Sequence, residues 1–254
     1  MSKKILGVIP ARYQSTRFPG KPLTNIAGKP MIQRVYERCA SAAGLANVVV
    51  ATDDERIAQT VRNFGGKVEM TDPGHPSGTD RLLEVADRQP QFDAYINIQG
   101  DEPLIDPRQI DAVAELIFAH QGAFVGTLVK RLDLDTELNN PNIVKVVRQG
   151  NGKAIYFSRS VIPHLRDPEQ LQAFHAETGY YKHIGMYGYS KEAIPAIRAM
   201  SKGQLETAES LEQLRWLEHG MDIWVAETEI ETIGVDRPED VQKVVSLLIA
   251  QGLD

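Results

Sequence analysis

Three cations fall within ten residues just past the first apolar run, Arg12, Arg17 and Lys21, in the stretch Ile9-Pro-Ala-Arg-Tyr-Gln-Ser-Thr-Arg-Phe-Pro-Gly-Lys-Pro22. Guanidinium forks grip phosphate oxygens in pairs, and a lysine supplies a compact positive charge, so this loop suits a polyphosphate. The ordinary alternative is a solvated basic loop. Pro10, Pro19 and Pro22 weigh against it, because fixed φ angles stiffen the loop into one geometry. Two acids complete the set: Asp101 in Asn97-Ile-Gln-Gly-Asp-Glu-Pro103, and Asp236 in Gly234-Val-Asp-Arg-Pro-Glu-Asp240. Each follows an apolar segment. Magnesium takes one or two carboxylates plus phosphate oxygens and water, so this pair could hold one Mg²⁺. Asp101 could instead be a loop carboxylate, and Asp236 a helix N-cap with Glu239 completing a capping box.

A second set has types suited to reading a ligand. Ser77, Gly78 and Thr79 precede a helix, where hydroxyls and a flexible glycine can lie against a planar base; plain N-capping explains the same residues. Arg159, His183, Tyr187, Glu212 and Gln213 suit an anionic, hydroxyl-rich ligand. The alternatives stay open. Arg159 could pair with an acid of the scaffold, His183 and Tyr187 share a strand face that could be core, and Glu212 and Gln213 flank the Leu211, Leu214, Leu217 stripe of a helix.

The elements that must position these groups follow from periodicity. Strand-like runs at Ile5–Ile9, Val48–Ala51, Val68–Met70 and Tyr95–Ile98 alternate with helical patterns at Met31–Ala43, Ile57–Phe64, Arg81–Ala86 and Ile110–Ala119. This βαβ rhythm predicts a largely parallel sheet covered by helices, with ligands at the carboxyl ends of its strands. After Gly122 strands follow one another: Phe124–Val129, Ile143–Val147, a Gln-Gly-Asn-Gly turn, Ala154–Phe157 and His183–Tyr189. Helical segments are expected at Glu192–Met200, Thr207–His219 and Asp240–Ala250, with a last strand at Ile223–Ala226. The predicted fold class is α/β, a three-layer mixed and mostly parallel sheet with an antiparallel insertion, in one domain spanning 1–254. Its body is 1–121 and 221–254, and 122–220 forms the inserted part.

Composition narrows the partners. The chain has 254 residues, 42% of them apolar, and a formal charge of -6, which argues against broad binding to nucleic acid or anionic lipid. The first apolar run is too brief for a signal segment or a membrane span, so a cytoplasmic chain without membrane insertion is expected. Its single cysteine, Cys39, excludes an intramolecular disulfide.

The loop from Ile9 to Pro22 resembles the signature of the sugar-activating nucleotidylyltransferases, and in this wording the 3-deoxy-manno-octulosonate cytidylyltransferases. Further matches follow in order: His75-Pro-Ser-Gly-Thr-Asp-Arg81, Asn97–Pro103, Tyr156-Phe-Ser-Arg159, His183-Ile-Gly-Met-Tyr-Gly-Tyr189, Leu211-Glu-Gln-Leu-Arg215 and Gly234–Asp240. They span the whole chain. The resemblance implies a nucleotide-diphospho-sugar transferase fold, CTP and 3-deoxy-manno-octulosonate as substrates, Mg²⁺ on Asp101 and Asp236, and a homodimer built through 122–220. It assigns the nucleotide to Arg12, Lys21, Ser77, Gly78, Thr79 and Gln99. It assigns the sugar acid to Arg17, Gln99, Arg159, His183, Tyr187, Glu212 and Gln213, and catalysis to Arg12, Lys21, Asp101 and Asp236.

Three rivals remain on sequence. One is a cytidylyltransferase for another acid sugar such as a sialic acid. Another is a glycosyltransferase, whose Asp-x-Asp motif has a weak counterpart in Asp133-Leu-Asp135. The third is a nucleotide-binding regulator without catalysis.

Overall fold

The computed structural model describes residues 4–14 and 17–253; Ser15 and Thr16 of the first loop, and the opening Met1-Ser-Lys3, lie outside them. In chain order the elements are β1 (Ile5–Ala11), β2 (Asn25–Ile26), β3 (Lys29–Pro30), α1 (Met31–Ala40), β4 (Asn47–Thr52) and α2 (Glu55–Asn63). Then come β5 (Val68–Met70), α3 (Gly78–Arg88), β6 (Ala94–Asn97), α4 (Pro107–Ala119) and β7 (Phe124–Arg131). The second half contains β8 (Lys145–Arg148), β9 (Ala154–Ser158), α5 (Leu171–Glu177), β10 (Tyr181–Ser190), α6 (Ala193–Ala199), α7 (Gln204–Glu209), α8 (Gln213–Glu218), β11 (Asp222–Glu227) and α9 (Asp240–Ala250).

The main sheet runs β11-β7-β10-β6-β1-β4-β5. Along this path only β10 runs against its neighbours, since β1, β4, β5 and β6 pair in parallel, as do β7 and β11. The β8–β9 hairpin attaches antiparallel to the start of β10, as the Gly150–Gly152 turn predicted.

Alternation along the central strands builds the three layers. Leu6, Val8, Val49, Ala51 and Tyr95 face one core with α3, α6 and α8. Ile5, Ile9, Val48, Val50, Ala94 and Ile96 face the other with α1, α2 and α4. Burial on both faces explains why these strands are almost continuously apolar. A smaller core of Ile26, Met31, Leu104, Val235, Val244 and Leu248 clips α9 onto the β2–β3 hairpin, which returns the end of the chain to the carboxyl side of β1.

The structure corrects two expectations. The helical pattern over Thr207–His219 is two helices, α7 and α8, because Ser210 takes a left-handed φ of 53° and turns the chain between them. The stretch between β9 and β10 also folds, into α5, which the run of strand patterns did not anticipate.

One buried charge ties α3 to the sheet. Arg81 is fully buried, bonds the Thr71 hydroxyl just past β5, and lies 3.3 Å from Asp53 just past β4. It therefore fixes the α3 N-terminus over the ends of two strands. Replacing Arg81 with Met should lower unfolding stability by about 2 to 4 kcal/mol in urea titrations, because Asp53 loses a buried partner yet keeps some solvent.

Candidate functional site

β1 delivers the cationic loop to the carboxyl edge of the sheet, where the chain doubles back. The Gly20 N–H donates to the Tyr13 carbonyl at 2.8 Å, and Gly20 takes a φ of 73° that other residues adopt only with strain. A short 3₁₀ turn over Lys21–Leu23 follows, with Pro22 inside its first turn. This turn aims Lys21 inward. Its ammonium donates to Asp101 Oδ2 at 2.7 Å and to the Val235 carbonyl at 2.9 Å. The Val235 N–H in turn donates to the Asp101 carbonyl at 2.8 Å. Loops after β1, after β6 and before α9 thus meet at one lysine.

The cleft above them has a volume of about 470 Å³. Its lining includes Arg12, Arg17, Lys21, Ser77, Gly78, Gln99 and Asp101. Most of the residues that the resemblance assigned to the nucleotide therefore share one wall. The Arg12 guanidinium donates to the His75 carbonyl, which ties the first loop to the segment before α3. Gly100 lies under the floor, where an added Cβ would sit 2.7 Å from the Pro10 carbonyl oxygen. Only glycine lets the loop after β6 approach the end of β1 so closely.

Ser77 does cap α3. Its Oγ accepts from the Asp80 N–H at 3.2 Å, and the Asp80 carboxylate accepts from the Ser77 N–H at 3.1 Å. Capping and ligand reading are compatible, since the same geometry leaves Ser77 and Gly78 lining the cleft at a helix N-terminus, where the backbone dipole favours anions. Thr79 turns away from the cleft. It is buried, with its hydroxyl 3.3 Å from the Tyr189 hydroxyl.

Asp236 is not the cap of α9. The N-cap position is Glu239, which makes no side-chain cap bond, and Asp240, the first helical residue, reaches back to accept from the Asp236 and Arg237 N–H groups at 2.9 and 2.8 Å. The Asp236 carboxylate stays exposed, 3.7 Å from Arg17. Beside Asp101, burial pushes the Glu102 carboxyl above its usual range, opposed by a hydrogen bond from Thr232 and reinforced by the charge of Asp101.

The acceptor-type residues occupy the layer behind. The pairing of β10 with β7 shifts between Ile184 and Tyr187, and the Gly185 carbonyl there accepts from Gln99 Nε2 at 2.9 Å. Despite the shift, the rings of His183 and Tyr187 stay 5.2 Å apart. Tyr187 meets Trp216 edge-on, and burial holds its phenol well above the usual range. Burial likewise raises the Glu212 carboxyl, whose Oε1 lies buried without a hydrogen-bond partner. Gln213 is buried beside it. Arg159 is held by backbone: its guanidinium donates to the carbonyls of Glu209, Pro141 and Ser210, and its N–H donates to the Glu209 carboxylate. The sequence left open an acid of the scaffold as partner of the guanidinium; the guanidinium meets carbonyls instead, and only the backbone N–H of Arg159 meets a carboxylate.

Sequence reasoning passed over Gln14, which lines the cleft in the same loop as the three cations. It also passed over Glu102 and Thr232; only the adjacency of Glu102 to Asp101 could have signalled them. Asp133 of the Asp-x-Asp triplet accepts from the N–H groups of Asp135 and Thr136 and from the Thr136 hydroxyl, as a turn residue does.

The cytidylyltransferase family model matches residues 6–223. A 3-deoxy-manno-octulosonate cytidylyltransferase of Geobacter metallireducens is 51% identical over 249 residues, covering 96% of this chain and 98% of that protein. One from Solibacter usitatus is 48% identical over 256 residues, covering 100% and 99%. Among solved structures, a CMP:2-keto-3-deoxy-manno-octonic acid synthetase complexed with CTP superposes with a TM-score of 0.90 at 43% identity, covering 98% of this chain and all of that one. The 4-diphosphocytidyl-2C-methyl-D-erythritol synthase of Anaerococcus prevotii, at 12% identity and a TM-score of 0.62, shares the fold.

The layer behind the cleft carries a pH signature. Enclosure among Phe157, Tyr187 and the sheet pushes the His183 imidazole down to about 3, while its Nε2 lies 2.9 Å from the Thr127 hydroxyl. The unfolded chain binds a proton at this position near pH 6.5 and the folded chain does not. Stability is therefore complete above pH 6.5 and falls as the pH drops from there toward 3, by up to about 1.4 kcal/mol per pH unit. His183→Gln should flatten this slope in urea titrations between pH 7 and 5.

Proposed function

We propose, from the premise that this chain belongs to the 3-deoxy-manno-octulosonate cytidylyltransferases, that its cleft joins CMP from CTP to 3-deoxy-manno-octulosonate and releases pyrophosphate. The observation that carries this reading is the convergence of Arg12, Arg17, Lys21 and Asp101 on one cleft at the carboxyl end of β1. The chain is similar over nearly its full length to a synthetase complexed with CTP.

In this reading the triphosphate lies along the β1 loop and the α3 N-terminus, and the base rests against Ser77, Gly78 and Gln99. Arg12 and Lys21 offset the charge that grows on the departing pyrophosphate. The sugar acid enters from the β10 side, toward Arg17, Gln99, His183, Tyr187, Glu212 and Gln213. Its anomeric hydroxyl is then in line with the α-phosphorus. Little covalent work falls to the protein, so positioning and charge neutralisation account for most of the rate.

The donor set fits Mg²⁺. Asp101 and Asp236 offer hard oxygens on segments joined by the Val235 to Asp101 hydrogen bond, and Asp101 already accepts a cation, the Lys21 ammonium. Among the described residues no cluster of three or more carboxylates, histidines or cysteines forms a metal site, and magnesium completes its shell with phosphate oxygens and water. When bound, the ion would neutralise triphosphate charge and make the α-phosphorus more electrophilic. The product would serve lipopolysaccharide synthesis in the cytoplasm. A homodimer through the β8–β9 side would cover Ile155, an exposed apolar residue of β9.

The reading is tested by incubating the protein with CTP, Mg²⁺ and a panel of acid sugars. Pyrophosphate and a CMP-sugar should form with 3-deoxy-manno-octulosonate and not with a sialic acid. Release of CDP instead would point to the glycosyltransferase rival. Asp101→Asn and Asp236→Asn should each lower turnover at least about a hundredfold, the scale of losing transition-state charge stabilisation. Near-normal turnover of either variant at saturating Mg²⁺ would remove that residue from the metal site.

A further inference from the structure

The segment from 228 to 239 carries Asp236 without belonging to any helix or strand, since β11 ends at Glu227 and α9 begins at Asp240. Its course is therefore set by individual contacts. At its start the Thr228 N–H donates to the Val129 carbonyl at 2.9 Å, and Gln109 Nε2 donates to the Ile230 carbonyl at 3.2 Å. Glu231 pairs with the buried Lys182 of β10 at 2.6 Å and with Lys130 of β7 at 3.3 Å. These bonds anchor the strap to the sheet and to α4, several residues short of the aspartate.

Nearer the site, the Thr232 hydroxyl donates to Glu102 Oε2 at 2.6 Å. Glu102 is the direct neighbour of Asp101, and Thr232 lies four residues before Asp236. Two backbone links follow, from the Val235 N–H to the Asp101 carbonyl and from Lys21 to the Val235 carbonyl. Both depend on the strap already lying against the loop after β6. Among the described residues the exposed Asp236 carboxylate has its 3.7 Å pair with Arg17 and no closer side-chain partner, so the path of the backbone does most to decide where it points.

We propose that Thr232 and Glu102 form a clasp that sets the spacing of Asp101 and Asp236. They are positioning residues, acting on the metal pair without touching substrate, and the inference rests on the metal reading above. The contact is short and joins side chains, one beside each aspartate-bearing segment. Groups that orient metal ligands from behind typically change metal affinity 10- to 100-fold when removed.

Thr232→Val keeps the shape and deletes the hydroxyl, while Thr232→Ser keeps the hydroxyl. Binding of the Mn²⁺–CTP complex, followed by water-proton relaxation, is compared with binding of metal-free CTP for both variants, for Asp236→Asn and for the unaltered protein. Thr232→Val should weaken the Mn²⁺–CTP complex about tenfold and leave metal-free CTP within about twofold, with Thr232→Ser close to the unaltered protein. In turnover, the Mg²⁺ concentration for half-activation should rise while kcat at saturating Mg²⁺ largely recovers. Unchanged Mn²⁺–CTP binding in Thr232→Val, with clear loss in Asp236→Asn, would overturn the clasp alone. Equal losses in the Val and Ser variants would also overturn it, since the hydroxyl would not be the cause. Unchanged binding in Asp236→Asn would overturn the metal reading, and the clasp with it.

Discussion

The ammonium of Lys21 is the point on which the site depends. It bonds a carboxylate 80 residues away and a carbonyl 214 residues away, and so joins three loops that the sheet only brings near one another. A hydrogen bond between charged partners contributes about 1.5 to 3 kcal/mol where solvent is partly excluded, more than a neutral surface contact. Both partners here are shielded, Lys21 more than Asp101. The same bond stores the site's electrostatics. In the proposed reading a triphosphate would compete with Asp101 for the lysine and a cation would compete with the lysine for Asp101, so the two substitutions would favour each other.

Behind this charged cleft lies a layer of a different physical kind. Tyr187 and Tyr189 of β10 are buried edge-on against Trp216, with the buried Gln213 and the half-buried Glu212 at the start of α8. Desolvation dominates there, raising the Glu212 carboxyl and the tyrosine phenols and lowering the His183 imidazole. Such groups cost stability unless something satisfies them. The Glu212 carboxyl is opposed in its rise by the Thr79 hydroxyl, while its Oε1 has no hydrogen-bond partner among the described residues. Lys145 illustrates the contrasting solution: it is fully buried, yet its ammonium reaches the carbonyls of Asn140, Ile143 and Arg159.

The two layers communicate through β10, the one strand of the main path that opposes its neighbours. Its irregular pairing after Ile184 places the Gly185 carbonyl within reach of Gln99, so a single glutamine joins the cleft to the buried layer behind it. Two residues before Ile184, the same strand holds Glu231 of the strap through Lys182. A movement of β10 would therefore be felt at Gln99 and at the segment that carries Asp236.

Much of this was legible in the chain itself. Apolar runs of β-branched residues determine where strands form, and Gly20, Pro22 and the cations after β1 determine a loop suited to phosphate, because these depend on neighbours within a few residues. The alternation of Leu6 and Val8 with Ile5 and Ile9 already required helices on both faces. The tertiary structure decided what local pattern cannot encode. Ser210 breaks a continuous helical periodicity because Glu209 is drawn to Ser158 and the Arg159 N–H across the fold. Thr79 turns to Tyr189 and away from the cleft, Asp236 gives its N–H to Asp240 and leaves its carboxylate free of the α9 cap, and Arg159 spends its guanidinium on carbonyls of its own scaffold. In each case a polar side chain had two chemically reasonable partners. Which one it met was set by the packing of segments far apart in sequence, where only the closed sheet and its helices fix the distance.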